Sequence, residues 1–340
     1  MYISISDIFQ LASKLSFKRI KNAWQIYWSF SRSRIKKSSS IVGLPFSISV
    51  EPTTACNLRC PECPSGLRSF TRPTGKLSVE VFDKLIEEIH ETLFYLIFYF
   101  QGEPYLHPEF LQMVAKAKAK KIYTATSTNA HFLDNENAKK TVLSGLDRMI
   151  ISIDGASQQT YEAYRKTGKL DKVIEGTRNI LKWREKLKSK TPAVVWQFLV
   201  VKPNEHEIDT IRKLGKELGV DKVAFKTAQI YDYADGNPLI PTIEKYSRYR
   251  KVGENNYELK HKIFDECWKM WHSCVVTWDG KVVPCCFDKD AHFVLGNIQQ
   301  QSFEAVWNSP SYNDFRNQLL NSRNEIEMCK NCTEGGKVWA

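Results

Sequence analysis

Between residues 45 and 230, short apolar runs of strand length alternate with longer stretches of helical period. The runs are PFSISVEPT (45–53), YLIFYFQGEP (95–104), IYTATSTNA (122–130), RMIISIDGA (148–156), AVVWQFLVV (193–201) and DKVAFKTAQ (221–229), all rich in β-branched and aromatic residues. The stretches 78–91, 106–120, 134–145, 171–188 and 205–218 are each long enough for a crossover helix, and Gly219 suits a left-handed C-cap on the last. This alternation predicts an α/β fold with a parallel sheet. Six units are too few to close an eight-stranded barrel, so an open partial (β/α)6 barrel over 45–230 is expected. Residues 231–266 lose the pattern, become rich in Tyr, Asn and Lys, and read as a linker to a tail over 267–340.

Residues 1–44 follow a different pattern. Ile8, Leu11 and Leu15, then Ile20, Trp24, Tyr27 and Trp28, recur at helical spacing and predict an amphipathic N-terminal helix. Residues 1–40 hold eight Lys or Arg against the single acid Asp7, which is +7 of the chain's formal charge of +11. Two readings follow: a helix packed on the barrel, or a basic aromatic face that touches a membrane surface or a partner. The +4 left over the other 300 residues is too little for a strong phosphate footprint, so no nucleic-acid partner is expected. No apolar run approaches membrane-spanning length, and the N-terminus lacks the basic-then-apolar order of a secretory signal. The expected location is cytoplasmic, with residues 1–40 allowing peripheral contact with the inner face of the membrane.

Nine cysteines in such a chain point to metal rather than to disulfides. Cys56, Cys60 and Cys63 form C-x3-C-x2-C just after the first strand run; Cys267, Cys274, Cys285, Cys286, Cys329 and Cys332 all fall in the tail. Three thiolates on one loop can hold a four-iron cube and leave one iron open to a ligand. A zinc ion with a distant fourth ligand, or three buried thiols, are the alternatives these residues leave open. The other unusual strings, Gln101-Gly102-Glu103-Pro104, Ser127-Thr128-Asn129 and Ser152-Ile153-Asp154-Gly155, also end strand runs, where parallel sheets gather their chemistry.

With these motifs in this order, the chain from about Pro45 to Cys332 resembles the radical SAM superfamily, and within it the members with a C-terminal SPASM domain. The resemblance implies a [4Fe–4S] cluster on Cys56, Cys60 and Cys63. It also implies S-adenosylmethionine on the open iron, cleaved by one electron to a 5′-deoxyadenosyl radical that takes a hydrogen atom from the substrate. Gln101, Gly102, Glu103 and Pro104 stand where the family binds the methionine ammonium, with Gln101 in place of a glycine. Ser127 and Asn129 look like ribose contacts, and Ser152 and Asp154 match the family's strand-four S-x-D. Arg165 is similar to an arginine that pairs with the methionine carboxylate, and Leu199 and Val200 stand where the adenine is touched. Glu62 precedes Cys63 where many members carry an aromatic.

In the tail, Cys267-x12-Gly280-x4-Cys285 is similar to the opening of the SPASM motif, and WDGKVVPCCFD reads as a hairpin turning at Asp279-Gly280. The resemblance assigns Cys267, Cys285, Cys329 and Cys332 to one auxiliary [4Fe–4S] cluster. Cys286 is the alternative to Cys285, Cys274 reads as a buried small hydrophobe, and a structural zinc ribbon remains open for the four thiols. Trp268, Trp271, Trp278 and Trp307 read as core.

The function expected is that of an oxidoreductase or peptide-modifying radical SAM enzyme. Its implied partners are a substrate, with peptides and proteins favoured, and a reductase, flavodoxin or ferredoxin as electron donor. Two alternatives stand beside it: an enzyme acting on a membrane-associated lipid or sugar precursor of the envelope, and a zinc-knuckle nucleic-acid-binding protein. No substrate-side acid, base or hydrogen donor stands out.

Overall fold

Two helices open the chain, α1 (Ile5–Ala12) and α2 (Phe17–Lys36), where a single amphipathic helix was expected. Ser16 separates them, its hydroxyl accepting the Arg19 backbone N–H as an N-cap. A computed structural model describes residues 5–332 of the protein; residues 1–4 and 333–340, the ends of the N-terminal segment and of the tail, lie outside the described residues.

The six apolar runs then form six strands. β1 (Ser47–Val50) leads through the cysteine loop to the short α3 (Pro64–Leu67) and to α4 (Val79–Ile89). β2 (Tyr95–Phe98), α5 (Phe110–Ala119), β3 (Tyr123–Thr128), α6 (Asn135–Ser144) and β4 (Arg148–Ser152) follow, then α7 (Gln158–Tyr164), α8 (Leu170–Lys186), β5 (Ala193–Val200), α9 (Ile208–Leu218) and β6 (Lys222–Thr227). All six strands pair in parallel with their sequence neighbours. Gly219 caps α9 at φ +79°, as its position predicted. Outward-facing Ile48, Val50, Leu96, Phe98, Met149, Ile151, Trp196 and Phe198 are buried against the crossover helices, each such side chain contributing roughly 1.5–3 kcal/mol by leaving water.

The segment 231–266 is not featureless, since β7 (Tyr249–Lys251) and β8 (Tyr257–Leu259) pair as a small antiparallel hairpin. The tail holds α10 (Lys269–His272), β9 (Ser273–Val276), β10 (Lys281–Val283), β11 (Gly296–Asn297), α11 (Phe303–Trp307) and α12 (Pro310–Asn321). The Asp279-Gly280 hairpin is present between β9 and β10, with Gly280 at φ +76°.

The tail does not stand apart as a separate lobe. β9 pairs in parallel with β1, Ser47 opposite Ser273 and Val50 opposite Val276. The sheet therefore runs β11-β10-β9-β1-β2-β3-β4-β5-β6, nine strands in one layer, and its outermost strands do not pair with each other. The partial barrel is open, and its mouth continues onto the tail.

The two N-terminal helices lie on different parts of this body. Asp7 of α1 accepts from the guanidinium of Arg148 and the hydroxyl of Tyr123, at the first residues of β4 and β3, so α1 covers the end of the barrel opposite the cysteine loop. On α2, Ile26 and Phe30 are buried, and the Phe30 ring meets those of Trp268 and Trp271. Trp268, Trp271 and Trp307 are core as expected, while Trp278 is half-buried against the loop at Gly75.

Candidate active site

The first three cysteines occupy the loop beyond the C-terminal end of β1. Chain turns on both sides hold that loop. Gly66 is folded so tightly on it that a Cβ there would come within 2.6 Å of the Cys60 backbone. The Arg59 N–H donates to the Lys166 carbonyl, tying the loop to the segment after α7. Cys56, Cys60 and Cys63 share an apolar surround of Leu58, Tyr164, Leu199 and Val201. Burial pushes the Cys56 thiol up to about 12 and raises that of Cys60, so their thiolates require a positive partner.

Residues 101–103 brace this loop directly. The Cys63 thiol lies 3.7 Å from Gln101 Oε1, Gly102 N–H donates to Ser65 Oγ at 2.9 Å, and Glu103 N–H donates to the Ala55 carbonyl at 2.8 Å. Gly102 is at φ +74°, and a Cβ would lie 2.1 Å from the Thr53 carbonyl oxygen. Only glycine fits this turn. Pro104 follows at the start of a short 3-10 turn over Pro104–Leu106 and is buried.

The Glu103 carboxylate is buried and faces the end of β3. It accepts Thr128 Oγ1 at 2.7 Å and the Tyr105 N–H at 3.3 Å on one oxygen, and the Asn129 N–H at 2.8 Å on the other. Of a carboxylate's four or so acceptor positions, about one remains free. Burial raises its pKa to about 7 despite these bonds. Asn129 also donates from Nδ2 to Asn57 Oδ1 at 2.7 Å, joining strand three to the cysteine loop. Ser127 is half-buried one residue before Thr128, and it is Thr128 that holds Glu103.

At the ends of β4 and β5 the geometry separates the expected residues. Ser152 is buried opposite Gln197. Asp154 is wholly buried, one oxygen accepting the Leu199 N–H at 2.6 Å and the other accepting from Arg165 Nε. Both its oxygens are committed within the protein, which makes it a support for Arg165. Arg165 in turn reaches Cys60, Nη1 to Sγ 3.7 Å. Leu199 points to the cysteine side of the sheet, whereas the Val200 side chain is buried on the opposite face among the helices.

The tail sulfurs form a second group. Cys267, Cys285, Cys329 and Cys332 line one enclosed cavity together with apolar side chains such as Met270, Phe287 and Leu319. Arg323 closes it, with Nη2 3.4 Å from Cys332 Sγ and Nη1 donating to the Glu266 carbonyl at 2.6 Å. Burial pushes Cys329 up to about 12 and raises Cys285 well above the ordinary thiol value, so these sulfurs too call for a cation. Cys286 is exposed, 3.9 Å from Lys269 Nζ, and Cys274 is buried on β9; neither lines the cavity.

Contacts the sequence did not reveal join the two groups. Glu51, just past β1, is wholly buried in a bidentate pair with Arg72 at 2.9 and 2.5 Å, and also accepts the Trp278 N–H at 3.3 Å. Thr71 N–H donates to Asp290, and Arg72 to the Lys289 carbonyl at 3.4 Å. Beside Cys63, Glu62 accepts the Tyr231 N–H at 3.0 Å, and the Lys289 ammonium sits 4.6 Å from the centre of the Tyr231 ring. Glu62, Tyr231 and Lys289 thus gather beside Cys63. Only the position of Glu62 beside Cys63 gave any prior signal.

Comparison with known proteins agrees with this arrangement. Residues 50–215 match the radical SAM superfamily and residues 267–333 match SPASM, an iron-sulfur cluster-binding domain. A tungsten-containing aldehyde ferredoxin oxidoreductase cofactor-modifying protein of Pyrococcus furiosus is 24% identical over 320 residues, covering 84% of this chain and 86% of its own. Among solved structures, Streptococcus suis SuiB bound to S-adenosylmethionine superposes with a TM-score of 0.62 at 11% identity, over 90% of this chain and 74% of its own. The anSMEcpe structure with bound AdoMet gives 0.59 at 18% identity, over 85% and 84%. The chain belongs to the radical SAM superfamily and carries a SPASM domain. It is an enzyme of that class, using a [4Fe–4S] cluster and S-adenosylmethionine, with further iron–sulfur chemistry in its tail. The donor sets fit: three thiols on a glycine-tightened loop beside the Gly-Glu pair, and four thiols around one apolar cavity.

Proposed function

We propose that this enzyme removes a hydrogen atom from a peptide or protein segment lying in the mouth between the two sulfur groups, and that the tail thiols Cys267, Cys285, Cys329 and Cys332 would hold one auxiliary cluster, which would supply an electron acceptor for the substrate radical that the abstraction leaves. The observation that carries this reading is the parallel pairing of β9 with β1, which puts a second thiol-lined cavity on the same continuous sheet as the first cysteine loop. SuiB has also been solved bound to the precursor peptide SuiA, at a TM-score of 0.58.

Cys56, Cys60 and Cys63 hold the first cluster in this reading, and Cys267, Cys285, Cys329 and Cys332 the second. Bound together, the first cluster and S-adenosylmethionine supply a 5′-deoxyadenosyl radical when one electron from a reductase, flavodoxin or ferredoxin cleaves the cofactor. The chain's residues bind and orient. The free acceptor position of Glu103 receives the methionine ammonium, with Thr128 and Asn129 fixing the carboxylate. Arg165, aimed by Asp154, pairs with the methionine carboxylate. Ser127, Asn129 and Ser152 border the ribose, and Leu199 borders the adenine, with Val200 contributing backbone alone. The apolar surround of Leu58, Tyr164 and Val201 excludes water from the reacting centre. Glu62 and Lys289 offer one charge of each sign to the substrate beside Cys63.

The match of residues 267–333 to an iron-sulfur cluster-binding domain favours a cluster over the zinc-knuckle alternative for these four thiols. We place the protein in the cytoplasm, whose reducing conditions keep thiols available as cluster ligands.

The binding roles are tested through pH. The Glu103 carboxyl must be ionised to accept an ammonium, and its pKa is about 7. Affinity for S-adenosylmethionine, measured by calorimetry on cluster-loaded protein, is expected to fall about tenfold per pH unit below that value. Glu103→Gln should bind roughly ten- to a hundredfold more weakly and lose this pH dependence, and Arg165→Ala should weaken binding by a similar factor while keeping it. Because the folded pKa lies above the ordinary 4.5, the stability contribution of protonated Glu103 is present below pH 4.5 and is lost as pH rises through about 7. The cofactor-free protein should lose stability over that range, and the cofactor should restore it. Equal affinity at pH 6 and pH 7 in the parent would remove Glu103 from the ammonium site.

A further inference from the structure

Helix α2 has two unlike faces. Inward, Arg19 donates to the carbonyls of Lys14, His90, Lys120 and Lys121, Asn22 bonds the backbone of Leu44 at 2.7 and 2.9 Å, and Ile26, Phe30 and Ser33 are buried. These contacts fix the roll of the helix. Outward, it presents Phe17, Ile20, Trp24, Tyr27, Trp28 and Ile35, between 41% and 82% exposed. The Trp24 and Trp28 rings stack with centroids 6.3 Å apart and Tyr27 meets both edge-on. At 1.5 Å per residue, the stripe from Phe17 to Ile35 runs about 27 Å. Single exposed apolar residues are ordinary on a protein surface, but the run from Phe17 to Trp28, with Ile35 two turns further on, marks an interaction site.

The charges on the same helix select the partner. Its twenty positions hold six Lys or Arg and no Asp or Glu. Arg19 faces inward; Lys18, Lys21, Arg32, Arg34 and Lys36 are exposed, Lys18 and Arg34 pairing with Glu91 and Glu266 of the body. Aromatic side chains along an exposed apolar stripe, flanked by cations without an intervening acid, match the boundary between acyl chains and anionic headgroups. We infer that α2 docks the protein on an anionic lipid surface, lying in the plane of the interface with Trp24 and Trp28 at the acyl boundary and Lys21, Arg32 and Lys36 at the phosphates. Among the described residues no helix is long and apolar enough to cross a membrane, and this docking needs none. The inference does not depend on the substrate.

The test is sedimentation of the cluster-loaded enzyme with phosphatidylglycerol liposomes and, in parallel, with phosphatidylcholine liposomes. The parent should pellet with the anionic vesicles, remain largely in solution with the zwitterionic ones, and be released by salt. The Lys21→Glu/Arg32→Glu/Lys36→Glu variant should lose roughly a hundredfold in partition, at about fivefold per basic side chain. The Trp24→Ser/Trp28→Ser/Ile35→Ser variant should lose at least tenfold. Both variants alter exposed side chains remote from the cysteine loop, so iron content, thermal midpoint and S-adenosylmethionine cleavage should match the parent. Failure of the parent to pellet with phosphatidylglycerol would overturn the docking, as would undiminished binding of the charge-reversed variant. A parent dimer that the serine variant converts to a monomer, without vesicle binding by either, would instead assign the stripe to a second copy of the chain.

Discussion

Replacing Cys56, Cys60 and Cys63 together by alanine is expected to remove about four irons per chain and abolish reductive cleavage of S-adenosylmethionine, measured as 5′-deoxyadenosine formed with dithionite. The three sulfurs lie on one loop, and no other cysteine shares their apolar surround, so nothing nearby can replace them. The fold should survive, because the loop is also held by Gly66 packing, by the Gly102–Ser65 bond and by the Arg59–Lys166 bond. A folded variant that keeps the tail iron and makes no 5′-deoxyadenosine is the expected outcome; continued cleavage would place the reactive centre elsewhere.

Replacing Cys267, Cys285, Cys329 and Cys332 is expected to have a different signature. The other half of the iron should go, and with it the order of residues 323–332, which otherwise bond to the body chiefly through Arg323 and Asn331, whereas β9 stays in the sheet. The first cluster should remain and still cleave the cofactor, while substrate conversion stops. Cys274→Ala and Cys286→Ala should keep full iron, since Cys274 is buried away from the cavity and Cys286 points outward. Iron lost from Cys286→Ala but kept in Cys285→Ala would transfer the ligand role one residue along the chain.

Much of this architecture was legible in the sequence because local pattern decides it. The six apolar runs became β1 to β6, and five of the crossover stretches became α4, α5, α6, α8 and α9 with ends displaced by a few residues. The cysteine spacings and Gly280 are likewise local. The parallel pairing of β9 with β1 was not legible, since Ser47 and Ser273 meet only through the closing of the whole chain. The Glu51–Arg72–Trp278 link is hidden for the same reason.

In α2 the hydrophobic stripe faces outward, as in the second of the two readings the sequence allows. Ile20, Trp24, Tyr27 and Trp28 make the visible stripe, yet the buried face is built largely from Arg19, Asn22, Ser29 and Ser33, whose polar atoms cap neighbouring backbone. At the strand ends, sequence order placed the right segments at the site but not the direction of each side chain. The two-residue period puts Leu199 toward the cysteine loop and Val200 away from it, and gives Thr128 the contact to Glu103.

The measurement that bears most directly on two sulfur groups serving one mouth is the iron content and electronic absorption spectrum of anaerobically purified, reconstituted protein. About eight irons per chain, with broad visible absorption that bleaches on reduction, is the predicted result. A colourless protein holding zinc and no iron in its tail would contradict the two-cluster account.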